Sequence, residues 1–160
     1  MAASQEQAMD WRPLAVLIHV LAAFWYVAGY VGTNLCTELA RRATTDDECR
    51  IALGFSNRFD RWLNAPGGTV TSLSGLIAVW VFGYALATPW VALAVALFAG
   101  IVLLGIFFWG RFGRRVDTAV AAGDWTGVRS LLTEPRIVLV SRIENAVVLA
   151  IVVLMVLRPG

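Results

Sequence analysis

Four long apolar runs dominate the chain, and polar stretches separate the first from the second and the third from the fourth. The runs cover residues 13–35, 69–87, 90–109 and 137–157, and the first three contain no charged side chain. A helix needs about 20 mostly apolar residues to cross the hydrocarbon core of a bilayer. The pattern therefore predicts an all-α fold, an integral membrane four-helix bundle that residues 1–160 form as a single domain.

The second and third runs are separated only by Thr88 and Pro89. Proline lacks a backbone N–H and ends a helix, but it fits well in the first turn of the next one. We therefore expect the second and third spans to form a tight antiparallel hairpin.

The arginines are unevenly distributed outside the four spans. Five lie between the first and second spans and five between the third and fourth, whereas only Arg12 and Arg158 lie on the other side. Cytoplasmic loops of membrane proteins carry an excess of positive charge. We predict that both long loops are cytoplasmic and that both termini lie outside.

Each long loop has the pattern of a short amphipathic helix. In the first loop, Asp46 and Asp47 precede apolar residues at helical spacing as far as Leu63, and residues 66–68 (Pro-Gly-Gly) are expected to end the helix. In the second loop, Asp124 is placed to cap a helix from Trp125 to Leu132. We expect both helices to lie against the inner face of the membrane, and a docking site for a soluble partner is the alternative.

Composition supports lipid as the main partner. The hydrophobic fraction is 59%, the charged fraction 15% and the mean hydropathy +0.71, whereas about a quarter of the residues in a soluble domain are charged. The net charge is only +2 and no basic run contains interleaved aromatic residues, so nucleic acid is not an expected partner. Cys36 and Cys49 have neither a zinc-site nor a CxxC spacing and are interpreted as inert thiols.

His19 is the single histidine of the chain and lies inside the first apolar run. Residues spaced four and three apart share one helix face. The face that contains His19 also carries Ala23, Tyr26, Tyr30, Thr33 and Thr37. Because an unpaired polar group in hydrocarbon costs several kcal/mol, this face is predicted to point into the bundle. His19 is then either a hydrogen-bonding contact between helices or a ligand or proton-carrying group.

The fourth run is polar near its cytoplasmic end, one to two helical turns inside the membrane. The polar residues there are Ser141, Arg142, Glu144 and Asn145. Glu38, at the inner end of the first span, lies at the right depth to pair with Arg142, and an arginine of the loops could meet Glu144. A buried ion pair is one interpretation; the other is that the charged groups extend to the interface.

Several short segments resemble a bacterial family of predicted integral membrane proteins catalogued as domain of unknown function 2269. They are the opening "HVLAAFWYVAGYVG", the segment "DRWLNAPGGTVTSLSGL", the "AAGDW" before a short helix, and the terminal "VLMVLRPG". The resemblance covers most of the chain. It implies a four-span inner-membrane protein and no particular chemistry.

The opening segment also resembles, more distantly, the copper-resistance D proteins and the small haem-carrying membrane protoporphyrinogen oxidases. These resemblances imply haem b or copper bound by His19, with Tyr26 and Tyr30 lining the pocket. Met155, or the histidine of a second copy in a homodimer, is then the candidate second ligand. The oxidases also rely on a lysine, and the chain contains none.

Three classes of function follow from these observations. A small non-enzymatic membrane subunit or accessory protein needs only the features described. A haem- or copper-binding redox protein built around His19 is the alternative. A transporter is less favoured because no span is broken by glycine or proline at mid-membrane. A hydrolase is also less favoured, because the chain has a single histidine and no combination of nucleophile, base and orienting acid around it.

Overall fold

The computed structural model describes residues 10–157, and within that range every regular element is helical. The α-helices are α1 (Arg12–Arg42), α2 (Asp46–Phe59), α3 (Ala65–Phe82), α4 (Pro89–Leu104), α5 (Gly110–Ala121), α6 (Trp125–Thr133) and α7 (Pro135–Leu157). Two π-helical turns, Asp60–Asn64 and Gly105–Trp109, join α2 to α3 and α4 to α5 without a break. Four continuous helices are long and apolar enough to cross a membrane, as predicted. Arg158 lies outside the described residues.

The first three helices extend past the predicted spans, and in the second helix a predicted end is absent. Residues 66–68 do not end it: α2, the π turn and α3 form one continuous helix, Asp46–Phe82. Pro66 lies in the first turn of α3, directly after the π turn. In a regular helix, its ring would clash with the carbonyl group of Trp62 and one hydrogen bond would be lost. We attribute the continuity to the wider π turn, which absorbs this mismatch.

The predicted tight hairpin between the second and third spans is wrong. α3 ends at Phe82, where Gly83 adopts a left-handed conformation with φ 69°, and α4 begins at Pro89 after a six-residue connection. No Cα atom of α3 lies within 8 Å of a Cα atom of α4. Each helix packs on a different partner instead, α3 on α1 and α4 on α7. The bundle therefore consists of two closely packed helix pairs.

Side chains of α1, α4 and α7 connect the two pairs. Tyr26 and Tyr30 of α1 form a buried cluster with Ile101 of α4 and Val148 of α7. The Tyr26 ring lies edge-on to Phe98 of α4, with 5.8 Å between the ring centroids. The interior of the bundle thus forms around the tyrosine-bearing face of α1.

Three of the four continuous helices are longer than a bilayer is thick. They contain 31, 37 and 33 residues. At ~1.5 Å per residue they exceed the ~30 Å hydrocarbon core by roughly 15–25 Å. Their charged residues are concentrated at one end of the bundle, which residues 36–64 and 110–136 form and which we call the arginine-rich end.

The arginine-rich end has a small hydrophobic core of its own. Residues from α1, α2, α5 and α6 form it, namely Ala40, Cys49, Val116, Val128 and Leu132. Arg41 Nε donates to the carbonyl oxygen of Leu132 at 2.9 Å, and Arg129 forms an ion pair with Asp46 at 2.7 Å. Asp124 caps α6 as predicted, since its side chain accepts the backbone N–H of Gly127 at 2.8 Å. The two loops therefore pack together around one core.

Candidate functional site

The polar face of α1 points into the bundle. Tyr26 and Tyr30 are buried, and His19 is half-buried. The opposite face is exposed and apolar, with Leu17, Leu21, Phe24 and Val31. The amphipathic pattern of the first span therefore identified its inward face.

His19 contacts α3. Its Nδ1 lies 3.2 Å from Ser74 Oγ, and Ser74 Oγ donates in turn to the carbonyl oxygen of Thr71 at 3.2 Å. The contact joins the imidazole ring to a hydroxyl group, and each can donate or accept in it, depending on the tautomer of His19. Gly75 leaves room for the ring, because a Cβ atom there would lie 3.0 Å from His19 Cε1.

A buried hydroxyl group lies in the same part of α3. Thr71 Oγ1 has no hydrogen-bond partner among the described residues, although the atom is inaccessible to solvent. Buried polar atoms are normally paired, so an orphaned hydroxyl one turn from Ser74 is compatible with a bound ligand or water. Within residues 10–157, Thr71 therefore keeps unused hydrogen-bonding capacity one turn from Ser74.

Tyr30 connects α1 to α7. Its hydroxyl group donates to Asn145 Oδ1 at 2.7 Å, and its backbone carbonyl accepts Asn34 Nδ2 at 2.9 Å. Ser141 Oγ donates to Asn34 Oδ1 at 3.2 Å. These contacts pair the tyrosine face of α1 with the polar turn of α7, so the two polar segments noted in the sequence meet in the structure.

Glu144 lies on the buried side of α7, and its side chain accepts a hydrogen bond from Trp109 Nε1 at 2.7 Å. Trp109 is the last residue of the π turn between α4 and α5. The indole N–H is a neutral donor, and no arginine lies within 4.0 Å of the carboxylate among the described residues. The ion pair expected for Glu144 is thus replaced by a hydrogen bond to tryptophan.

Glu38 also has partners other than the expected one. It pairs with Arg41 at 3.2 Å and with Arg42 at 2.7 Å, both on its own helix. Arg142 is exposed on α7 and forms no ion pair within residues 10–157. Arginines three and four positions after a glutamate are its immediate neighbours on the helix surface, so the local pairs form in place of the Glu38–Arg142 pair.

The candidate metal ligands His19 and Met155 are not brought together by backbone packing. No Cα atom of α1 lies within 8 Å of a Cα atom of α7, and the Met155 side chain is 37% exposed. Within residues 10–157, no group of three or more His, Cys, Asp or Glu side chains is arranged to hold a metal ion. Cys36 and Cys49 are both buried and unpaired with each other.

Sequence reasoning missed three partners in these contacts. Ser74 lies in the stretch "TVTSLSG" of α3, whose small hydroxyl residues indicate a close, polar helix contact. Asn34 lies one turn after Tyr30 and extends the same polar face. No sequence pattern predicts the contact between Trp109 and Glu144. A π turn in an apolar run has no distinctive sequence, and the turn changes the direction of every later side chain.

Comparison with known protein families identifies a match over most of the chain. The family described as "Predicted integral membrane protein (DUF2269)" matches residues 13–159. No curated protein and no solved structure matches the chain.

Proposed function

Because the chain belongs to the DUF2269 family of predicted integral membrane proteins, we propose a role that needs no chemistry of its own. It is a small non-enzymatic membrane subunit or accessory protein of the bacterial inner membrane. It acts by associating with another membrane protein or with a second copy of itself, and its arginine-rich end lies in the cytoplasm.

The observation that carries this proposal is the pairing of the polar side chains inside the bundle. Tyr30 bonds to Asn145, Ser141 to Asn34 and Trp109 to Glu144, each between different helical segments. Polar residues used in this way hold helices together. Side chains that a reaction needs would instead converge on a shared space for a substrate.

An exposed apolar strip on α2 supports an association role. Ile51 and Phe55 are four positions apart, so they lie on one face of the helix, and 57% and 48% of their surface is exposed. Both residues lie before the predicted second span. Exposed apolar side chains outside a span are typical of contact surfaces for proteins or for the membrane surface.

Site-specific photo-cross-linking in intact membranes tests this proposal. A benzophenone amino acid at Phe55 is expected to yield one discrete product with a second polypeptide, and a product of twice the chain mass identifies a homodimer. The matched control is the same amino acid at Leu149 of α7, whose side chain is 64% exposed and lies within a predicted span; it should label lipid only. Absence of a discrete product at Phe55 would contradict the proposal.

A haem- or copper-binding protein built on His19 is the second candidate. The contact between Nδ1 and Ser74 Oγ favours it, because metal-ligating histidines commonly hydrogen-bond through their other ring nitrogen to an oxygen atom. His19 supplies one ligand, and a second copy of the chain or Met155 would have to supply another.

Visible absorbance spectra test the haem form of the second candidate. The spectrum of the purified protein from haem-sufficient cells is recorded in the oxidised form and again after reduction with dithionite. The same spectra are recorded for His19→Ala and for Tyr84→Phe, a control in the connection between α3 and α4. We expect a colourless protein. A Soret band that sharpens on reduction and is lost only in His19→Ala would establish the haem alternative.

A further inference from the structure

A groove lies at the boundary between the apolar part of the bundle and its arginine-rich end. The π turn before α5, α5 itself and the first turn of α7 form it, and its volume is about 290 Å³. Its polar lining includes Arg111, Arg115 and Arg136, and its apolar lining includes Phe107, Phe108 and Ile137. Both basic and apolar side chains therefore line the groove.

The positive charge of the groove is only partly neutralised. Glu134 is the acidic residue of the lining, and its carboxylate lies 3.9 Å from Arg115, at the limit of an ion pair. Among residues 10–157, no carboxylate lies within 4.0 Å of Arg111 or Arg136. The Arg136 guanidinium group lies over the Phe108 ring at 5.9 Å, which holds it at the aromatic wall of the groove. Three guanidinium groups thus face one carboxylate.

Apolar surface continues from the groove toward the middle of the bundle. Phe107 is 58% exposed, and Leu139 and Ile143, one and two turns further along α7 from Arg136, are also exposed. An amphiphile with an anionic head and a long apolar tail matches this sequence of surfaces. Arginine suits the head because its planar fork donates two hydrogen bonds to a phosphate group.

We propose that this groove binds an anionic phospholipid. The phosphate group of the lipid contacts Arg111, Arg115 and Arg136, and one acyl chain lies along Phe107 and Ile137. Basic pockets between membrane helices bind anionic head groups in this way. The bound lipid fills the space between α5 and α7, so it holds the arginine-rich end at a defined depth in the membrane.

Native mass spectrometry of the detergent-purified chain tests the proposal. The protein is titrated with phosphatidylglycerol and, separately, with phosphatidylcholine of the same acyl chains. We expect discrete phosphatidylglycerol adducts at concentrations where phosphatidylcholine gives few. Equal binding of the two lipids would overturn the proposal, and so would displacement of the lipid by inorganic phosphate at equal concentration, which indicates a site for a free anion.

Two triple variants locate the site. The variant R111Q/R115Q/R136Q is expected to lose the preference for phosphatidylglycerol, with an affinity loss of roughly fivefold for each arginine. The control R50Q/R58Q/R61Q removes the same charge from α2 and the adjoining π turn and should keep the preference. Equal losses in both variants would show that net charge and not the groove attracts the lipid.

A charge-preserving variant separates misfolding from loss of the site. R111K/R115K/R136K keeps the positive charge but not the bidentate geometry. We expect it to retain the preference for phosphatidylglycerol with weaker binding than the native chain and stronger binding than the glutamine variant. Loss of the preference to the level of the glutamine variant would overturn the electrostatic part of the proposal.

Discussion

Tyr26 and Tyr30 lie one helical turn apart on α1, but their hydroxyl groups have different surroundings. Tyr30 donates to Asn145 of α7, whereas the described residues give the Tyr26 hydroxyl no hydrogen-bond partner. Both rings are buried in the same cluster, and their centroids are 6.0 Å apart. The two residues therefore share their packing environment and differ in one polar contact.

This difference predicts the effects of two matched substitutions. Tyr30→Phe removes the hydrogen bond to Asn145 and should lower the free energy of unfolding by about 0.6 kcal/mol, with ~1.7 kcal/mol as the upper bound for such contacts. Tyr26→Phe should leave it nearly unchanged. Reversible unfolding in mixed micelles measures both variants, and an equal loss in the two would show that the Tyr30 hydroxyl contact with Asn145 contributes no stability.

Glu144 and Arg142 show what position on a helix does to a charged residue inside an apolar run. Glu144 is buried and bonded to Trp109, whereas Arg142, two positions away, is exposed. Residues two apart on a helix point in different directions, so they cannot form a pair with each other. The sequence does not tell which of the two faces the interior, and the rotation of α7 decides it.

At the scale of helices, glycine determines how closely α1 and α3 approach. A Cβ atom at Gly67 would lie 2.8 Å from the Cα atom and the backbone nitrogen of Tyr26. Gly29 of α1 similarly lies against the backbone of Leu63 and Asn64. The continuous helices Arg12–Arg42 and Asp46–Phe82 thus each contribute a glycine against which the other packs, and this accounts for their close contact.

We predict that Gly67→Ala disrupts the α1–α3 contact. A methyl group there overpacks against the backbone of α1, which cannot move as a side chain can, so the loss of stability should be about 1–3 kcal/mol. The control is Gly100→Ala in α4, where a Cβ atom would meet no other atom within 4 Å. That variant should be neutral or stabilised by up to ~1 kcal/mol. Thermal unfolding in detergent compares the two; an equally stable Gly67→Ala protein would contradict the close packing.

The two π turns explain why helix continuity was the weakest part of the prediction. Residues 66–68 have the composition of a helix stop, and the sequence interpretation placed one there. The structure keeps the helix continuous because the π turn Asp60–Asn64 precedes Pro66 and because Gly67 and Gly68 pack against Tyr26. The second π turn, Gly105–Trp109, directs Trp109 toward Glu144. The local sequence predicts neither the contact of Gly67 and Gly68 with Tyr26 nor the contact of Trp109 with Glu144, because both partners are distant in the chain.

At the scale of the whole molecule, the sidedness of the arginine-rich end remains a prediction from charge. The ten arginines in the two loops predict that both loops are cytoplasmic and both termini outside. Fusion proteins test this topology. Alkaline phosphatase, which is active only outside the cytoplasm, and green fluorescent protein, which fluoresces only inside it, are each fused at two positions, after Gly123 and after Gly160. We expect phosphatase activity at Gly160 and fluorescence at Gly123. The reverse pattern would invert the topology and place the proposed lipid groove in the outer leaflet.

The sequence by itself determined the number of membrane helices, their approximate positions and the inward face of α1. These features depend on the length and periodicity of the apolar runs, which can be read from the sequence alone. Only the tertiary structure decided that α3 packs on α1 and α4 on α7, that Glu38 pairs within its own helix, and that Trp109 and not an arginine meets Glu144. These choices depend on helix rotation and on small residues at contacts far apart in the chain. Hydrophobicity alone does not encode them, because lipid and the bundle interior are equally apolar surroundings for a side chain.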